Sequence, residues 1–155
     1  MSLRDTIFED LKTAMRAKDQ VRVSTLRLIQ AAIKDRDIAA RAEDRCEGCE
    51  DTEIMALLQK LVKQREESAA TYEDAGRLDL AEREHAEAEI VRAYLPEPMC
   101  DDSIAKAAAE VVEELDATGL KDMGRCMGAL KERYTGRMDF AQAGKAVKTL
   151  LQNPS

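Results

Sequence analysis

Near the C-terminal end of this 155-residue chain, the run Lys121-Asp122-Met123-Gly124-Arg125-Cys126-Met127-Gly128-Ala129-Leu130-Lys131 carries its most suggestive chemical spacing. Read as a helix, it puts Met123, Met127, Leu130 and Tyr134 on one apolar side. Gly124 and Gly128 fall on the other side, together with Lys121, Arg125 and Lys131. A glycine inside a helix costs ~1 kcal/mol relative to alanine, so two on one face suggest close approach of something to the main chain. A phosphate chain fits. Arg133, Arg137, Lys145 and Lys148 follow within one short stretch, and such cations neutralise phosphates and displace their counterions. The competing reading is a small-xxx-small contact with another protein helix, the cations being merely solvated. Spacing alone leaves both open.

Other chemistries have weaker support. Cys46-Glu47-Gly48-Cys49 has the gap of half a zinc site, because two thiolates two residues apart can face one metal. The other half is missing: Cys100 and Cys126 are isolated, and His85 lies in a Glu-rich stretch without ligand spacing. No metal and no cofactor are expected. No Ser or Cys nucleophile pairs with His85 in a recognisable pattern, so no catalytic residue is expected either. Glu82, Glu84, Glu87 and Glu89 would need inward Glu-x-x-His pairs from several helices to bridge metals, and the chain holds one histidine. They read as a solvated acidic face. Gly124-x-x-x-Gly128 also lacks the strand, loop and Lys-Ser/Thr of a P-loop.

The elements that position these residues read as helices throughout. Hydrophobic residues make up 45% and charged residues 35% of the chain, a balance that suits a folded protein. Only seven Gly, three Pro and 3% aromatics occur, which favours an all-α fold and argues against sheet-based base-stacking modules. Leu3, Ile7, Phe8, Leu11 and Met15 recur at helical spacing, as do Val21, Leu26, Ile29, Ala32 and Ile33 after a polar break at Lys18-Asp19-Gln20. Glu43 to Glu53 reads as a loop. Asp51 or Thr52 is expected to cap a third helix ending at Gly76, and a fourth is expected over about Asp79 to Tyr94.

Leu95-Pro96-Glu97-Pro98 then breaks the pattern, since proline disfavours helix in the residue before it and lacks a donor of its own. The expected organisation is therefore an N-terminal bundle of about four helices (1–95), a Pro-containing linker (96–100) and a three-helix C-terminal module (101–155). In that module Asp101 or Asp102 should cap a helix stopped by Gly119; a second helix should span about Lys121 to Tyr134, and Asp139 should cap a third. Charge divides unevenly. Residues 1–119 hold 17 Lys and Arg against 28 Asp and Glu, whereas residues 120–155 hold 7 against 3, within a net charge of −7.

No charge-free stretch approaches the ~20 apolar residues that span a bilayer, and Met1 to Asp10 lacks the pattern of a secretory leader. Four cysteines without a secreted context are compatible with free thiols. A cytoplasmic location is the expectation.

Several segments in order resemble the YqeY family: Ser24-Thr25-Leu26-Arg27, Gln59-Lys60 through Gln64-Arg65, Ala75-Gly76-Arg77-x-Asp79-Leu80-Ala81, Ala93-Tyr94-Leu95-Pro96 and Lys121 through Leu130. The resemblance covers nearly the whole chain, apart from the loop around Cys46 and Cys49. It implies a larger N-terminal helical bundle and a small three-helix module similar to the tail of the GatB subunit of glutamine-dependent tRNA amidotransferase. Related tails are appended to some glutaminyl-tRNA synthetases. Such a tail holds tRNA and does not react with it, so the carbon–nitrogen ligase association of the family does not make this chain an enzyme. The resulting expectation is a non-catalytic protein that binds tRNA or another structured RNA through Lys121, Gly124, Arg125, Gly128, Lys131, Arg137, Lys145 and Lys148. It would assist an amidotransferase or aminoacyl-tRNA synthetase. The alternative is a protein–protein adaptor without RNA contact, which the acidic total charge favours; an independent amidotransferase is the weakest reading.

Overall fold

The computed structural model describes residues 2–44 and 48–152, and among them every regular element is helical. The all-α expectation is correct. The chain divides into two compact units, Met1–Pro96 and Glu97–Ser155.

The first unit contains α1 (Leu3–Ala17), α2 (Gln20–Ala42), α3 (Asp51–Asp74) and α4 (Leu78–Arg92). Ser2 caps α1 by accepting from the Asp5 N–H, and Asp19 caps α2 by accepting from the Arg22 N–H. Lys18 between them adopts the left-handed conformation, which reverses the chain in a very short turn. Ile7, Leu11, Leu26, Ile29, Ile33, Ile54, Leu58 and Val91 form the common core. Met15 and Val21 stand outside it, 49% and 41% exposed, although their spacing suggested a core position. Both lie at the edge of their helix's apolar stripe, not at its centre.

Several boundaries differ from the sequence reading. Glu50, not Asp51 or Thr52, caps α3: it forms a capping box with Glu53, whose side chain accepts from the Glu50 N–H. Glu84 and Glu87 do not belong to a fully solvated face. Their side chains are 16% and 13% exposed, and their carboxylates flank Arg65 of α3, at 3.6 Å and 3.3 Å. A row of glutamates on one helix therefore splits, because α4 packs extensively along α3.

The second unit contains α5 (Asp101–Glu114), a single 3-10 turn (Leu120–Asp122), α6 (Met123–Tyr134) and α7 (Phe140–Gln152). Ile104, Ala108, Val111, Cys126, Leu130, Met138, Ala143, Val147 and Leu151 make its core. Cys100, not Asp101 or Asp102, occupies the N-cap of α5. That helix ends at Leu115 and Asp116, the latter at φ 50, and not at Gly119, which opens the 3-10 turn. Asp139 does accept from the Ala141 and Gln142 N–H groups at the start of α7.

Candidate nucleic-acid interface

The glycine helix begins two residues later than its spacing suggested. Lys121 lies in the 3-10 turn, so it precedes α6 and does not share its face. Asp122 fixes that turn: its carboxylate accepts from the Thr118 N–H at 3.0 Å and from Arg125 at 2.9 Å. These two bonds, the Thr118 one first, hold its pKa below the usual aspartate value. Sequence reading passed over Asp122; its position just ahead of the glycine helix was the available signal.

Within α6, Cys126 and Leu130 are fully buried, and Met123, Met127 and Tyr134 pack partly against the same core. Gly124 and Gly128 lie on the exposed side, and a methyl group added to either would meet nothing within 4 Å. No contact inside the fold therefore excludes a side chain at these positions. The main chain there is open to solvent.

The flanks of α6 differ. One flank faces α5, where Arg133 pairs with Glu114 at 2.6 Å and Arg125 donates to the Leu115 carbonyl as well as to Asp122. The other flank faces α7: a methyl built on Gly144 would lie 3.8 Å and 3.9 Å from the terminal methyls of Met123 and Met127. Helical periodicity extends the row Met123, Met127 to Lys131, with Gly124 and Gly128 one residue outward. On α7 the same periodicity carries Gly144 to Lys148, with Lys145 alongside on the outer surface. Lys131, Lys145 and Lys148 are exposed and have no ion-pair partner among the described residues, and the same holds for Lys121.

Lys121 stands apart in the 3-10 turn, and the other seven sequence-derived residues separate into two groups. Gly124, Gly128 and Lys131 fall on the outer side of α6, and Lys145 and Lys148 on the outer side of α7, all five exposed. Arg125 and Arg137 are tied into the unit: Arg125 as above, and Arg137 through Nε to the Glu97 carbonyl at 3.3 Å, its own carbonyl accepting from the Met99 N–H. Both guanidinium groups remain exposed.

Cys126 is buried in the core, and burial raises its thiol pKa. Cys49 is buried beside the Arg4–Asp37 pair, while its partner in spacing, Cys46, lies outside the described residues. His85 Nε2 is 2.8 Å from Glu73, linking α4 to α3.

The Yqey-like protein family matches residues 4–151, which is nearly the whole chain. The chain belongs to this family. Among curated relatives, "Altered inheritance of mitochondria protein 41, mitochondrial" of Clavispora lusitaniae is 34% identical over 98% of this chain and 84% of its own length. The proteins of that name from Pyrenophora tritici-repentis and Lachancea thermotolerans are 33% and 32% identical, over 80% and 74% of this chain. The match covers 68% and 62% of those two relatives. None of these names states a catalytic activity. They do place the relatives in mitochondria, and lend no support to a cytoplasmic location for this YqeY-family chain. Among the described residues no helix is long and apolar enough to cross a membrane.

Proposed function

We propose that this YqeY-family protein is a non-catalytic RNA-binding protein whose α6–α7 surface takes the phosphate backbone of a structured RNA, tRNA being the leading candidate. One observation carries the reading: the same helical unit exposes open main chain at Gly124 and Gly128 and exposes Lys131, Lys145 and Lys148, none of which has an ion-pair partner among the described residues. Unpaired lysines beside exposed backbone suit a contact that tracks shape and charge and does not read bases. The acidic face of α5, with Asp101, Asp102, Glu110 and Glu113 exposed, would repel RNA and confine contact to one side. By likeness to the amidotransferase tail, the role would be to hold tRNA for an amidotransferase or aminoacyl-tRNA synthetase acting in trans.

The test is titration of the full chain with bulk tRNA at two salt concentrations. Binding should weaken steeply as salt rises, because each neutralised phosphate releases counterions. Reversing Lys131, Lys145 and Lys148 to Glu together should remove most of the affinity and flatten the salt dependence while leaving the helical content unchanged. These lysines are better probes than Arg125, whose reversal would also place a carboxylate against Asp122. Unchanged affinity in the folded triple variant would overturn the reading, and no binding even at low salt would leave the adaptor function in its place.

A further inference from the structure

We propose that α2 carries a second interaction surface, a docking face for an amphipathic helix of another protein whose apolar seam is bordered by Asp and Glu. The surface lies in the first unit and does not depend on the RNA reading. Val21, Ser24, Leu28, Ala31, Asp35 and Ile38 follow one another at alternating spacings of three and four residues, the spacing of a coiled-coil seam. All six are exposed, and Val21, Leu28 and Ile38 are 41%, 42% and 63% accessible. The buried residues of the same helix, Val23, Thr25, Leu26, Ile29, Ile33 and Ala40, form a separate set directed at the core. A single exposed leucine is ordinary, but Val21, Leu28, Ala31 and Ile38 in one periodic row, interrupted only by Ser24 and Asp35, have the form in which helices recognise helices.

Charge selects the occupant. Gln20, Arg27, Lys34 and Arg41 recur every seven residues along one border of the seam, all exposed, and the three cations have no ion-pair partner among the described residues. At the start of the seam, Gln20, Val21 and Ser24 share an open groove with Arg83 and Ala86 of α4. A helix bearing carboxylates beside its apolar seam complements these cations. A second copy of this chain does not: laid antiparallel it would set Arg27 against Lys34, and laid parallel it would set Asp35 against Asp35. Asp35 within the seam further calls for a Lys, Arg or amide donor opposite it. RNA would match the cations but leave Val21, Leu28 and Ile38 without a partner, so a protein helix accounts for more of the surface.

The test uses two synthetic 24-residue helical peptides with leucine at seam positions and asparagine at the one that meets Asp35, one bordered by Glu and one by Lys, titrated into the full chain with amide chemical shifts as readout. The Glu-bordered peptide should bind at least tenfold more tightly and shift amides along Val21 to Ile38. Leu28→Asp combined with Ile38→Asp, both at exposed sites, should abolish that binding with circular dichroism unchanged. Arg27→Glu with Lys34→Glu and Arg41→Glu should invert the preference toward the Lys-bordered peptide. Equal affinity for both peptides, no binding of either, or shifts confined to α6 and α7 would overturn the proposal. So would self-association through α2, or displacement of the Glu-bordered peptide from α2 by bulk tRNA. Loss of tRNA binding in the Lys131, Lys145 and Lys148 variant with peptide binding intact would separate the two surfaces.

Discussion

In the first unit, guanidinium groups join helices to one another: Arg4 meets Asp37 through two bonds of 2.6 Å and 2.7 Å, Arg36 meets Glu53 at 2.7 Å, and Arg65 lies between Glu84 and Glu87. Arg92 adds contacts to Glu66 and Glu89. In α6 and α7 of the second unit the core is apolar throughout, and Lys121, Lys131, Lys145 and Lys148 extend into solvent without ion-pair partners among the described residues. The difference concerns what a cation is available for. A bidentate arginine held between helices restrains the fold and has little left to offer a ligand, whereas an unpaired lysine on a solvated surface contributes little to stability and can neutralise a phosphate. The outward row of α2, Arg27, Lys34 and Arg41, belongs with the second group although it lies in the first unit.

The largest expected effect tests whether the second unit stands on apolar packing. Leu130 is fully buried, and Leu130→Ala should destabilise that unit by about 3 kcal/mol in urea unfolding followed by circular dichroism. A loss under 1 kcal/mol would mean that its core is not the structural counterpart of the ion pairs in the first unit.

The corresponding change in the first unit is Asp37→Asn. Asp37 also accepts from the Cys49 N–H at 3.0 Å, and Gly48, at φ 86, is required beside it because a methyl group there would lie 2.6 Å from the carboxylate. The Arg4 hydrogen bonds hold the Asp37 pKa well below the ordinary aspartate value. A depressed carboxylate contributes stability above its unfolded pKa, and loses it as pH falls toward the folded value. The variant should therefore be about 2 kcal/mol less stable at pH 7, with the gap to the parent narrowing below about pH 4. A gap that stays constant from pH 7 to pH 2 would show that the charge on Asp37 is not what restrains the loop.

Tyr94→Phe should cost about 1 kcal/mol, because the hydroxyl donates to Asp10 at 2.6 Å and joins the end of α4 to α1. Burial, followed by that bond, raises the tyrosine pKa, so the contribution is fully present below about pH 10 and fades only in more alkaline solution. Equal unfolding midpoints for parent and variant at pH 7 would remove this bond from the account.

In α6 the sign should reverse. Gly124→Ala and Gly128→Ala meet no obstruction and should each stabilise the second unit by up to ~1 kcal/mol, while weakening tRNA binding because methyl groups stand where backbone was open. Stabilisation together with unchanged tRNA affinity would assign the glycines no part in the interface. The smallest effect is the most discriminating: Lys145→Glu with Lys148→Glu should change stability by less than about 0.5 kcal/mol yet reduce the salt dependence of RNA binding.

The all-helical class, the turn at Lys18 and Asp19, the break at Leu95 to Pro98 and the apolar stripe of α6 were legible in the amino-acid order, because each depends on local propensity and the 3.6-residue period. The exposure of the glycine pair also agrees with that order, since periodicity alone opposes Gly124 and Gly128 to the methionines. Tertiary structure decided which charged groups pair. Periodicity assigns a residue to a side of its helix but not to the neighbour it meets, so Glu84 and Glu87 looked solvated until α3 brought Arg65 between them. For the same reason Val21 read as core, and the exposed seam of α2 emerged only once the other helices had covered the opposite side. Arg125 and Lys131 looked equivalent by type and spacing, and only the placement of Asp122 and the Leu115 carbonyl separated a cation held by the fold from one left to solvent.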